Sequence, residues 1–128
     1  MKKIIRRISA AVLAAAMAMG ALMTSASAND EEKSWSVVYV SSLPSAPGRE
    51  CTVEMVKLPG AKFQTYCGFM EGGNDRRVTV SAPGVSSFLI TTTGYSDPFT
   101  SSSSGMILFT FSGYSTSSCS ASGTIGYY

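Results

Sequence analysis

The sequence predicts an all-β protein: an antiparallel two-sheet β-sandwich of immunoglobulin-like size, with about seven strands, behind a cleaved signal peptide. Three observations predict it. From Trp35 onward, apolar and polar residues alternate in short runs with the period of a strand. Turn signals separate the runs, among them Pro59-Gly60, Gly72-Gly73-Asn74 and Pro83-Gly84. No run of helical period follows residue 28. A small β-barrel is the alternative architecture.

The leader comes first. Lys2, Lys3, Arg6 and Arg7 form a basic start, Ile8 to Met23 is apolar over 16 residues, and Ala26-Ser27-Ala28 has the small-x-small pattern of a signal-peptidase site. The apolar run falls short of the ~20 residues of a spanning helix. Residues 1–28 therefore read as a signal peptide cleaved after Ala28, leaving a single domain over 29–128. The expected destination is secreted and extracellular, from a bacterial cell, with no stable membrane anchor after the signal is removed.

Cleavage reverses the charge balance. The full chain has ten basic and eight acidic residues, net +2. Four of the basic ones lie in the leader, so six remain against eight acids, net −2. Nucleic-acid binding needs a clustered positive surface. The one basic pair left, Arg76-Arg77, is flanked by Asp75, so that function is set aside.

Along the domain, Trp35, Val37 and Tyr39 mark a first inward face, and Ser41 to Arg49 reads as a loop. Cys51, Val53 and Met55 mark the second. Pro59-Gly60 suits the centre of a type II turn. Phe63, Thr65, Cys67 and Phe69 mark the third face. These two strands are expected to form a hairpin in which Cys51 faces Cys67, Val53 faces Thr65 and Met55 faces Phe63. Val78 and Val80 mark a fourth strand, and Phe88 and Ile90, with Leu89 opposite, a fifth. Gly94 to Gly105 is a 12-residue loop, a length that suits a crossing between sheets. Met106 to Phe111 is the most apolar run of the mature chain and reads as a central strand, Ile107, Phe109 and Phe111 inward. Cys119, Ala121 and Ile125 form a weak last strand, interrupted by Gly123. Ser and Thr make 18 of the 38 residues from Thr91 onward, which fits the solvated faces of antiparallel sheets.

An exported chain meets an oxidising compartment. Three cysteines allow one bond. Cys67–Cys119 is the expected disulfide, tying an early strand to the last, with Cys51 left free or as the alternative partner.

The chemistry is defined mostly by what is missing. The chain has no His, which removes Ser-His-Asp and Cys-His catalysis and His-ligated zinc. No catalytic constellation stands out, and the chain reads as non-enzymatic with no cofactor and no metal. Glu50 and Glu54 share the outward face of one strand and read as a solvated pair. Glu71-Gly72-Gly73-Asn74-Asp75 offers oxygen ligands but reads as a turn. Aromatics are the positive clue. Tyr95 and Phe99 sit in a long polar loop that has no need of them for packing, and they are the candidate ligand contacts. The expected function is a secreted binding or interaction module for a cell-surface glycan or a protein. A structural or assembly subunit of an extracellular complex is the alternative, and a secreted antagonistic peptide a third reading.

Overall fold

The computed structural model describes residues 32–128. The expected signal peptide and its cleavage site, residues 1–28, lie outside the described residues. Eight strands follow in order: β1 (Glu32–Val40), β2 (Glu50–Lys57), β3 (Phe63–Gly72), β4 (Arg77–Ala82), β5 (Val85–Ile90), β6 (Gly94–Tyr95), β7 (Gly105–Tyr114) and β8 (Ser118–Tyr127). A single 3₁₀ turn, Pro47–Arg49, lies between β1 and β2. The strands form two four-stranded sheets, ordered β1-β8-β3-β6 and β2-β7-β4-β5. Every pairing is antiparallel. The sheets pack face to face as a β-sandwich.

The alternation in the sequence sets the core. Trp35 and Val37 from β1, Met55 from β2, Phe63 from β3, Val78 and Val80 from β4, and Ile125 from β8 are buried between the sheets. Ile107, Phe109 and Phe111 are fully buried, and β7 is an inner strand, between β2 and β4. Its other face is open: Met106 and Leu108 are exposed.

Three expectations are corrected. The first is the hairpin. β2 and β3 belong to different sheets: Cys51, Val53 and Met55 face Phe111, Phe109 and Ile107 of β7. Phe63, Thr65 and Cys67 face Tyr127, Ile125 and Gly123 of β8, and the register shift after Cys67 turns Phe69, expected inward with them, out to an exposed position. The turn itself is present, with Ala61 N–H donating to Leu58 O at 3.0 Å and Gly60 at φ 70°. A turn of this hand splays the strands it joins, whereas tight hairpins use the mirror-image turns. It therefore lifts the chain from one sheet to the other.

The second is the last strand. β8 is ten residues long and is flanked on both sides, by β1 and β3. Gly123 does not interrupt it. A Cβ there would lie 1.8 Å from Tyr66 O, so the glycine is what lets β8 approach β3 beside the irregularity between Cys67 and Phe69.

The third is the disulfide. Cys51, Cys67 and Cys119 are all free thiols. Cys67 faces Gly123 and Cys119 faces Gly72. Those positions are four residue steps apart along β8, roughly 13 Å at the rise of a strand, against a Cα separation of under ~7 Å for a disulfide. Cys51 lies in the other sheet, opposite Phe111.

Candidate functional site

The 12-residue loop crosses between the sheets, as its length suggests, and it also builds the open side of the sandwich. β5 ends the second sheet. The chain then crosses to the first sheet and runs back along β3. Tyr95 pairs with Tyr66 and Gly94 with Cys67. Further along, Phe63 and Phe99 exchange backbone hydrogen bonds of 2.7 and 2.9 Å. Residues 94–99 thus form an interrupted edge strand that faces β5 across the gap between the sheets.

Ser96 holds that segment in place. Its N–H donates to Thr65 O at 2.9 Å, and its hydroxyl oxygen accepts Thr65 N–H at 3.1 Å. The same hydroxyl donates to Asp97 O at 3.0 Å, and Gln64 Nε2 donates to Ser96 O at 3.0 Å. Further on, Ser101 Oγ donates to Pro83 O at 2.7 Å and Ser102 N–H to Gly84 O at 3.0 Å. The serine run therefore folds over the β4–β5 turn and closes one end of the gap.

Between the two edges lies a depression of about 410 Å³, lined by Ser86, Phe88 and Leu89 of β5 and by Ser96, Asp97, Pro98 and Phe99. Its apolar wall is aromatic. Phe88 and Phe99 are half-buried, with ring centroids 5.1 Å apart. Phe99 is backed by Phe63 at 5.9 Å and Phe109 at 6.0 Å, so it plugs the core with one face and lines the depression with the other. Leu89 stands exposed at the rim. Asp97 is the one charged residue lining the depression, and it is exposed. A smaller hollow of about 140 Å³ adjoins it, sharing Leu89 and Ser96 and lined also by Thr91, Thr92, Thr93 and Tyr95. The Tyr95 ring rests against Tyr66, centroids 4.6 Å apart.

The structure thus places Tyr95 and Phe99, singled out as loop aromatics, in two adjoining hollows. Neither is a free loop side chain: each packs against an aromatic of β3. Sequence reasoning missed Phe88, assigned wholly to the core, and the rim formed by Leu89, Asp97 and Pro98. The available signal was Leu89, which breaks the polar face of its strand.

The other candidates lie elsewhere. Glu50 and Glu54 project from the exposed face of β2, and Glu50 Oε2 accepts a hydrogen bond from Ser112 Oγ at 3.3 Å. In the Glu71–Asp75 turn the Asp75 carboxylate is occupied by protein donors: Ser115 Oγ at 2.7 Å and Thr116 N–H at 3.0 Å. Those donors hold its carboxyl below the usual range. The Arg76 and Arg77 guanidiniums donate to Gly73 O and Asp75 O, bracing the same turn. Among the described residues no three His, Cys, Asp or Glu side chains gather where they could hold a metal ion.

The fold and the site define an all-β sandwich with a partly apolar hollow between β5 and residues 96–99. No family model, no curated protein and no solved structure matches the chain.

Proposed function

We propose that this is a secreted, non-enzymatic binding module that takes its ligand on the open side of the sandwich, between β5 and residues 96–99. The leader at residues 1–28 supports export, and the lack of histidine supports binding over catalysis. One observation carries the reading: two half-buried phenylalanines, Phe88 and Phe99, line a hollow bounded by two sheet edges. Its volume lies within the ~300–1,000 Å³ of ordinary ligand sites. Apolar rings beside unpaired backbone suit a protein ligand. A glycan is the second reading, favoured by the smaller hollow, where the Tyr66–Tyr95 pair adjoins the hydroxyls of Thr91, Thr92 and Thr93.

The test uses protein recovered from the culture medium, labelled and applied to arrays of bacterial cell-surface glycans and of surface-protein peptides. Wild type is compared with Leu89→Glu, a rim substitution that spares the core. Binding is expected to fall at least tenfold in the variant, about 1.4 kcal/mol. Equal binding by both proteins, or none by wild type on either array, rejects the reading.

A further inference from the structure

We infer that the ligand is an extended protein segment that adds to β5 as a further strand, seats a large apolar side chain against Phe88 and Phe99, and sets a basic residue beside Asp97. This rests on the open side being a binding site, and goes beyond it by naming the chemistry of the occupant.

The first support is the edge itself. β5 is bound to β4 on one side, with Thr79 opposite Leu89 and Val80 opposite Phe88, and ends its sheet on the other. On the free side, alternate residues present backbone N–H and C=O groups that a strand can pair. Natural edges are commonly guarded by charge, brevity or a covering loop. The other edges here show those guards. β2 carries Glu50, Glu54 and Lys57, and β6 has two residues. β1 is approached by the 3₁₀ turn, where a Cβ on Gly48 would touch Val38 O at 3.7 Å. β5 runs Val-Ser-Ser-Phe-Leu-Ile, with neither charge nor proline.

The second support is the hollow alongside. Successive side chains of an added strand alternate between its two faces. Those turned inward meet the Phe88–Phe99 wall and those turned outward meet solvent, with Leu89 at the rim. The serine run over Pro83 and Gly84 closes one end, so the segment stops at the β4–β5 turn.

The third is charge. Asp97 is exposed, and no basic residue lines either hollow. With residues 1–28 removed, six basic residues face eight acidic ones. A lysine or arginine of the ligand supplies the missing partner, and an acidic one is repelled.

The experiment is an NMR titration of ¹⁵N-labelled protein with the blocked synthetic peptide Thr-Val-Thr-Phe-Thr-Lys-Thr. Three comparisons accompany it: the same peptide with Glu in place of Lys, the same peptide N-methylated at alternate residues, and the Asp97→Lys protein. Shifts and slowed amide exchange are expected along Val85–Ile90. The Glu peptide should bind about five- to tenfold more weakly to wild type, and Asp97→Lys should reverse that preference. The N-methylated peptide, which cannot complete the ladder, should not bind. Equal binding of the N-methylated peptide, or shifts that avoid β5, overturns the strand. A preference unmoved by Asp97→Lys overturns the charge pairing. No peptide binding, alongside Leu89-dependent glycan binding on the arrays, overturns this inference while leaving the binding site standing.

Discussion

The ring of Trp35 lies flat on that of Phe111, with centroids 4.7 Å apart and planes 8° from parallel. This stack joins β1 of one sheet to β7 of the other, and both residues are fully buried. Trp35 Nε1–H also donates to Thr124 O at 3.1 Å, so the indole is tied to β8 as well. Phe111→Ala should cost ~3–5 kcal/mol, against a total of about 5–15 kcal/mol for a domain of this kind. Trp35→Phe keeps an aromatic face but removes the donor, and should cost less. Urea unfolding of Trp35→Ala, Phe111→Ala and the double variant closes the cycle. The coupling should be about 0.5–1.5 kcal/mol; a coupling near zero would show that the stack adds nothing beyond buried area.

Two glycines separate backbone strain from steric contact. Gly60 sits at φ 70° with nothing within 4 Å of a would-be Cβ. Gly60→Ala should therefore cost only the left-handed penalty of ~1–2 kcal/mol. At Gly123 the added Cβ would lie 1.8 Å from Tyr66 O, and the two central strands of the first sheet would have to part. Gly123→Ala should fail to give a cooperative thermal transition, while Gly60→Ala melts a few degrees early. Similar melting curves for the two would mean that β8 and β3 can relax around a methyl.

Asp75 links the β3–β4 turn to the chain between β7 and β8, through Ser115 and Thr116. Hydrogen bonds to the ionised carboxylate lower its pKa from 3.8 in the folded state. The unfolded chain therefore takes up the proton first as pH falls. The contribution is fully present above the unfolded value near 3.8 and is lost as pH drops through the lower folded value. Asp75→Asn should melt below wild type at neutral pH. The gap between them should shrink below about pH 4 as wild type loses its own advantage. A gap independent of pH would show that the carboxylate charge is not what holds the loop.

Most strands could be read in the sequence, because one-sided burial writes itself as alternation. Trp35, Val37, Ile107, Phe109 and Phe111 all point where that pattern puts them. Pairing was not legible. Cys51, Val53 and Met55 match the inward face of β3 as well as that of β7, and alternation alone does not choose between them. The importance of β8 was hidden for a related reason. Its serines and glycines look like a weak edge, yet a central strand between two close neighbours needs small residues such as Gly123. The candidate site was half legible. Phe99 stood out in a polar loop, but Phe88 and Leu89 acquire a role only when residues 96–99 come to rest across from β5.

Burial pushes Cys67 up to about 11 and raises Cys51 and Cys119 above their ordinary 9.0. The Cys67 thiol donates to Phe69 O at 3.3 Å and the Cys119 thiol to Arg77 O at 3.6 Å. Thiols held neutral in this way are poor nucleophiles, so the native protein should resist iodoacetamide near pH 8, and the denatured protein should take up three adducts. One adduct would reveal a disulfide and a strand register different from the one described. The same shifts set an alkaline limit. The folded state holds the Cys67 proton more tightly than the unfolded chain, so this contribution is fully present below about pH 9. It is lost as pH rises toward about 11. Cys67→Ser exchanges the thiol for a hydroxyl that does not ionise in that range. Its stability should fall less steeply than that of wild type over this window, and parallel curves would place the alkaline sensitivity in another group.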